Sequence, residues 1–331
     1  MVTSLDVAKL AGVSQPTVSR ALRGDKRVAT ATREKVEAAA KALGYVPSAA
    51  GRALSSGKTN RIGLLVTDLS NEFYHRVIGP VVSQVQGRGQ ELVLLAEGGE
   101  GDEVADRIIS LGMDGVILAT TTTTSMVPYR LRERGIPFVY FNRVNPAIPS
   151  DAAVTDPAEG MLIMLDTAIE LGHSRFGIIS GPENATTGSA RERVLRNFLA
   201  ARRLKIDDDN VIRGAFHVET GVAGMEQLMQ SDAPPSVVFC GNDVIAMGAI
   251  NYCASAGISI PDDVSVTGFD NLPEAAWPVF SLATVGFDLD RLVNSAVELI
   301  YERIKEPDAP VREIVLPTTF IHRASLGPCR R

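Results

Sequence analysis

The polar residues Gln15, Thr17, Ser19 and Arg20 crowd into a short stretch whose apolar positions, Val18, Ala21 and Leu22, repeat at helical spacing. Such a helix breaks no bonds. Its amide, hydroxyl and guanidinium groups are suited to base edges and phosphates in a DNA groove. A second polar set is spread along the rest of the chain. Asp68 with Phe73 and Tyr74, Asn142-Arg143, Asn242-Asp243 and Asp270-Asn271 each follow a strand-like run, and Arg191 lies on a helical segment after Gly181-Pro182. Carboxylates accept from hydroxyls, guanidinium and amide groups donate, and aromatic rings cover the apolar face of a sugar ring, so together these groups suit a small polyhydroxylated ligand. Taken singly, an Asp or Asn after a strand also serves as a helix cap or turn residue.

Short helices must position the first set. Leu5, Val7, Ala8, Leu10 and Ala11 form an apolar stripe, Gly12 has the backbone freedom to stop that helix, and Val13 packs inward. Ser14 suits the cap of the second helix, and Pro16 in its first turn forfeits no intrahelical bond. A third helix is expected from Ala31 to Leu43, with Val36, Ala39, Ala40 and Leu43 inside and Gly44 to end it; Thr30 could cap its start, although with Ala29 at the cap this end would be about 1 kcal/mol weaker. These three helices define residues 1–46 as one small domain. Residues 47–60, with Ser48-Ala-Ala-Gly-Arg-Ala-Leu54 and then Ser55-Ser56-Gly57, are too short for a stable isolated helix and read as a linker that orders when something holds it.

Charge follows the same division. The first 60 residues carry ten Lys and Arg against four Asp and Glu, and the remaining 271 carry 23 against 35. The net charge of −6 therefore hides a basic module that can neutralise phosphates and an acidic body that DNA repels.

From residue 61 strand-like runs alternate with amphipathic helices. Strands are expected at Ile62–Val66, Leu92–Ala96, Val116–Ala119, Phe138–Phe141, Phe176–Ile179, Val237–Cys240 and Val264–Gly268. Helices are expected at Asn71–Gln86, Ala158–Leu171, Ala190–Arg203 and Asp243–Ala256. The alternation specifies a doubly wound α/β body with buried parallel strands, and its length calls for two lobes. Ligand chemistry in such a body belongs at the carboxyl ends of the strands.

The chain resembles the lac repressor/gal repressor family of bacterial transcription regulators over essentially its full length. The resemblance rests on Asp6-Val-Ala-Lys-Leu-Ala-Gly-Val-Ser14, Thr17-Val-Ser-Arg20, Thr32-Arg-Glu-Lys-Val36, Leu43-Gly-Tyr-Val-Pro47 and Arg52-Ala-Leu54, followed by Ile62-Gly-Leu-Leu-Val66. It implies a helix-turn-helix domain, a hinge helix and a body like the type I periplasmic binding proteins. The chain would cross between lobes near Pro157, Val285 and Pro317. One lobe would comprise residues 61–156 with 286–316, the other 157–284 with 318–331.

The implied partners are a pseudo-palindromic operator in double-stranded DNA, a second copy of the chain and a small effector, a sugar, sugar acid or related metabolite. Thr3, Ser14, Gln15, Pro16, Thr17, Ser19, Arg20 and Arg23 would meet the DNA, with Arg52 and Leu54 from the hinge; Leu54 would wedge into a base step. The resemblance raises Arg191, Asn242 and Asp270 as effector contacts, with Arg193 as the substitute for Arg191 and Phe216 lining the cleft. Two departures bear on the ligand: Asn142 stands where many members have an aspartate, and Gly286-Phe287 replaces a polar pair. Phe287 either faces the cleft or turns into the core beside Val285.

Enzyme signatures are missing. There is no Gly-rich dinucleotide fingerprint after a strand, no phosphate-binding Gly-Lys-Ser/Thr loop and no Gly-x-Ser-x-Gly elbow. His75, His173, His217 and His322 lack metal spacing, so neither a metal nor another cofactor is expected, and His173 reads as structural. Cys240, Cys253 and Cys329, an odd number without an export signal ahead of them, suggest buried thiols in a reducing cytoplasm. No apolar run is long enough to cross a bilayer. A tail without heptads suggests a dimer, with body helices such as Asn71–Gln86 at the interface. A solute-binding protein would share the body but not the basic first domain, and a sugar-metabolising enzyme would turn its ligand over.

Overall fold

The computed structural model describes residues 2–46, 58–66, 69, 71–96 and 101–330. It divides into two units, Met1–Asn60 and Arg61–Arg331.

In the first unit α1 (Ser4–Ala11), α2 (Gln15–Leu22) and α3 (Thr30–Ala42) pack around Val7, Val18 and Val36, none of which touches solvent. Ala8, Ala21, Ala39 and Ala40 fill the gaps, with Val13, Leu22, Leu43 and Tyr45 at the margin. Burying each valine contributes about 1.5–3 kcal/mol, a large share of what so small a core can supply. The backbone N–H and hydroxyl of Thr3 both donate to Asp6, at 2.9 and 2.7 Å, and Gly12 ends α1 at a φ of 66° that few side chains tolerate. Two expectations need correction. Leu5 and Leu10 are half exposed, because the core contacts of a helix this short span little more than Val7 and Ala8. Thr30 lies inside α3, and Ala29 holds the cap position without a side-chain bond, which costs about 1 kcal/mol relative to a serine.

The second unit contains two six-stranded sheets. The first is parallel throughout, in the order β11 (Glu313–Leu316), β5 (Ala152–Thr155), β4 (Phe138–Phe141), β3 (Gly115–Leu118), β1 (Arg61–Leu65), β2 (Glu91–Leu95). Four helices cover its two faces: α4 (Glu72–Gly87) and α11 (Leu289–Lys305) on one, α5 (Asp102–Leu111) and α6 (Val127–Glu133) on the other. The second sheet runs β12 (Thr319–Ile321), β10 (Ala283–Gly286), β9 (Ser265–Phe269), β8 (Val237–Cys240), β6 (Phe176–Ser180), β7 (Val211–Arg213). It is covered by α7 (Ala158–Glu170) and α8 (Thr186–Ala201) on one face, α9 (Val218–Met229) and α10 (Asp243–Ala256) on the other.

Strands enclosed on both faces are apolar along their whole length, which is why these runs stand out in the sequence. The chain passes between the sheets after β5, after β10 and after β11. Gly286, expected to begin the return segment of the first lobe, instead ends β10 in the second sheet, opposite Thr319. Helix α8 begins at Thr186, four residues before the expected Ala190, because Thr186-Thr187-Gly188-Ser189 are weak helix formers that tertiary contacts nevertheless wind. Where α9 crosses α10 the backbones touch: a Cβ on Gly221 would lie 2.0 Å from the Ile245 carbonyl oxygen.

Candidate functional site

On the first unit, Ser14, Gln15, Pro16, Arg20 and Arg23 are exposed, and Thr17 and Ser19 half exposed. Ser14 and Thr17 share a hydrogen bond of 2.8 Å, Gln15 donates to the Ser4 hydroxyl at 2.9 Å, and Arg23 donates to the Ser19 carbonyl at 3.0 Å. These bonds hold a polar face together at the start of α2 without burying it. Thr3 is exposed, although its hydroxyl is engaged by Asp6. Arg52 and Leu54 lie outside the described residues, as does Asp68.

In the second unit, the loops at the carboxyl ends of the two sheets meet. Bonds that join them include Thr123 N–H to the Asn184 carbonyl at 2.9 Å, Val144 N–H to the Thr186 hydroxyl at 3.2 Å, and Arg76 on α4 to the Asn271 carbonyl at 3.3 Å. Each sheet contributes one wall to this junction, and the two walls are finished differently.

The wall from the second sheet centres on Arg191. Its Nη1 donates to the Gly241 carbonyl at 2.5 Å and its Nη2 to Asp270 Oδ1 at 3.2 Å, while its Cζ sits 3.5 Å from the centre of the Phe269 ring. The two charged side chains are 8% and 5% exposed, so this is a buried pair whose partners depend on each other. Burial pushes the Asp270 carboxyl up to about 6, against the pull of Arg191 and Arg143, and pushes Arg191 down. Asp270 and Asn271 both have positive φ, 105° and 48°, a strained turn for side-chain-bearing residues.

Asp243, noted in the sequence only beside Asn242, holds that turn. Its Oδ2 accepts from Leu272 N–H at 2.7 Å and its Oδ1 from the Thr284 hydroxyl at 2.5 Å; burial and the nearby Asp270 push it up to about 8. Asn242 caps α10, accepting from Ile245 N–H at 3.0 Å. Phe216 follows β7 and lies against Gly181, where a Cβ would come within 2.1 Å of the ring. Arg193 points elsewhere: it is exposed on α8 and lines a surface cavity of about 380 Å³ with Glu183, Glu192 and Arg213.

The facing wall comes from the loops after β3 and β4. Asn142 has a φ of 64° and is 8% exposed, with Oδ1 buried and unpartnered. Arg143 lays its guanidinium over Phe216, 5.0 Å from the ring centre, with Nε buried and unpartnered. The Thr121 hydroxyl is likewise buried without a partner. Its signal in the sequence is a run of threonines, Thr120 to Thr124, just beyond β3.

The remaining aromatic candidates pack in or between the cores, and Phe287, which is partly exposed, also lines a cavity of about 270 Å³ with Asn271 and Arg291. Tyr74 is 1% exposed and its hydroxyl donates to the Ala119 carbonyl at 3.1 Å. Phe73 packs among Tyr74, Phe141 and Phe287. Phe287 joins the cores of both sheets, its ring centre 6.1 Å from that of Phe73 and 6.3 Å from that of Phe269, which in turn carries Arg191. His173 is buried between the Ser236 hydroxyl and the Gly327 carbonyl, a structural arrangement. Among the described residues no cluster of His, Cys, Asp or Glu could hold a metal ion, and no helix is long and apolar enough to cross a membrane.

A model of bacterial regulatory proteins, lacI family, matches residues 3–48, and a periplasmic binding protein-like domain matches residues 165–326. The chain is 32% identical over 330 residues to the HTH-type transcriptional repressor PurR of Vibrio atlanticus (strain LGP32), covering 98% of this chain and 99% of that one. It is similar in structure to the transcriptional regulator CelR–cellobiose complex, with a TM-score of 0.74, 28% identity and coverage of 98% and 100%. The lac repressor dimer bound to operator and the anti-inducer ONPF has the same fold, with a TM-score of 0.84, 21% identity and coverage of 98% and 99%.

Proposed function

The chain belongs to the lacI family of bacterial regulatory proteins, and from that premise we propose how its two units divide the work of a metabolite-controlled transcriptional repressor. A dimer sets α2 of each copy into successive major grooves of a pseudo-palindromic operator, with Gln15 and Arg20 at base edges and Ser14, Thr17, Ser19 and Arg23 nearer the backbone. Arg52 and Leu54 take the hinge roles, and α4 contributes to the dimer interface. The protein works in the cytoplasm and catalyses no reaction.

A sugar or sugar acid sits between the lobes, residues 61–156 with the return segment to 316 and residues 157–286 with 318–331. Arg191 and Asp270 form one side of its site, Asn142, Arg143 and Thr121 the other. The observation that carries this reading is the set of buried, unpartnered polar atoms on Thr121, Asn142 and Arg143, facing a paired but solvent-poor Arg191 and Asp270. The similar transcriptional regulator CelR, solved as a complex with cellobiose, supports a hydroxylated ligand. By stabilising either the DNA-competent state or the other, the ligand shifts operator affinity.

Selection from a random DNA pool, followed by footprinting, tests the DNA half. The full-length protein should choose an inverted repeat. Arg20→Ala should lose roughly 1–3 kcal/mol there and relax preference at particular base pairs. Equal binding of this variant and the wild type to every single-base variant of the site would remove α2 from the groove.

A further inference from the structure

Each polar group of the cleft has a different amount of unused capacity. Arg191 is engaged by Gly241, Asp270 and the Phe269 ring. Asp270 answers Arg191, and Asp243 is turned away to Thr284 and Leu272. Arg76 and Arg323 are both engaged by Asn271. Arg143 differs: its Nε is buried without a partner, and its guanidinium lies over the face of Phe216, near enough to Asp270 to pull on that carboxyl without a direct bond among the described residues. The residue before it is an amide, Asn142, itself 8% exposed with an unpartnered oxygen, and a third unpartnered oxygen belongs to Thr121.

Charge points the same way. Among the described residues the cleft sets the guanidinium groups of Arg143 and Arg191 against the single carboxylate of Asp270. Asp243, pushed up to about 8, brings little negative charge near neutral pH. Asp270 pulls on both guanidinium groups, so one carboxylate is shared by two cations, and a ring face offsets only part of the positive charge left over. A hydroxyl could satisfy the Nε hydrogen but would leave the charge. A carboxylate satisfies both, its two oxygens matching the guanidinium fork. A phosphate, with more charge and a third oxygen, asks for more donors than one open guanidinium offers.

We propose, on the basis of the effector reading above, that the ligand is a sugar acid whose carboxylate is held by Arg143 and whose hydroxyls are held by Asn142 and Thr121. Arg143 is then a specificity-determining residue, and Asn142 keeps its guanidinium free by being an amide and not a carboxylate.

Calorimetric titration of the full-length protein tests this with D-glucuronate, D-galacturonate and D-gluconate, against D-glucose, D-galactose and glucose 6-phosphate. At least one acid should bind, at least about tenfold more tightly than its neutral counterpart. Arg143→Gln should remove that preference, and Arg143→Lys should recover part of it. Asn142→Asp, which places a carboxylate beside Arg143, should weaken the acid about tenfold or more while affecting the neutral sugar less. Arg193→Gln, on the outer face of α8, should leave acid affinity unchanged. Thermal unfolding without ligand checks that each variant is folded.

Binding of a neutral sugar in preference to every acid overturns the carboxylate assignment and leaves the effector cleft standing. Preference for the sugar phosphate overturns it as well. Unchanged acid affinity in folded Arg143→Gln places the carboxylate elsewhere. Binding of none of the six overturns both this inference and the sugar-class reading.

Discussion

The two walls of the cleft use the same chemistry and finish it differently. On the second-sheet wall, Arg191 and Asp270 hold each other while Asn242 and Asp243 hold the local backbone and Thr284, so these four side chains have partners before any ligand arrives. On the facing wall, Thr121, Asn142 and Arg143 keep buried polar atoms unpaired. The first arrangement makes a rigid frame, in which a lost side chain strands its partners and damages the fold. On the proposed reading the second stores binding capacity, so a lost side chain there should be felt by the ligand and hardly by the fold.

The largest effect expected from this contrast is that of Arg191→Ala. It leaves Asp270 buried without its bonded cation and the Gly241 carbonyl without its donor, which should lower stability by roughly 3–5 kcal/mol and abolish the ligand response. Unfolding in denaturant with and without ligand reads both. Full stability in this variant would show that the second-sheet wall is no frame.

A smaller effect comes from pH. Asp243 is pushed from an ordinary 3.8 up to about 8 by burial, so the folded chain holds its proton more tightly than the unfolded chain does. Its contribution to stability is complete below about 4 and is lost as pH rises through 8, a change on the order of a few kcal/mol against which the bonds from Thr284 and Leu272 pull. The wild type should therefore lose stability between pH 6 and pH 9 relative to Asp243→Asn. Parallel stability profiles of the two proteins would mean that the carboxylate is ionised in the folded state.

The smallest effect belongs to the facing wall. Thr121→Val removes a buried hydroxyl that has no partner, so stability should hold or rise slightly. Ligand affinity should fall by about 0.5–1.5 kcal/mol, one neutral hydrogen bond. A clear loss of stability would show that the hydroxyl is part of the frame after all.

Much of this was legible from residue types. The Gly12 stop, the polar face of α2 and the apolar strands of both sheets follow from local rules of capping, periodicity and burial. Arg191 and Asp270 were legible as candidates through family resemblance. Periodicity could not separate Arg191 from Arg193, since two residues on one helix turn differ only in what the fold places beside each. Nor could it choose between core and cleft for Phe287, which packs against the cores of both sheets. Leu5 and Leu10 belonged to the right pattern and still ended up exposed, because a core of seven small side chains is too narrow to cover them.

The sequence by itself determined the elements, their alternation, the basic first domain on an acidic body, and the presence of polar residues after the strands. All of these depend on neighbours within a few positions or on summed charge. Only the tertiary structure decided which of those polar residues are paired. Asp243 meets Thr284 across 41 positions, Arg191 meets Asp270 across 79, and Arg143 lies over Phe216, contacts formed by strand order and by the meeting of two sheets. Whether a buried polar atom supports the fold or waits for a ligand depends on those partners, and local sequence carries no record of them.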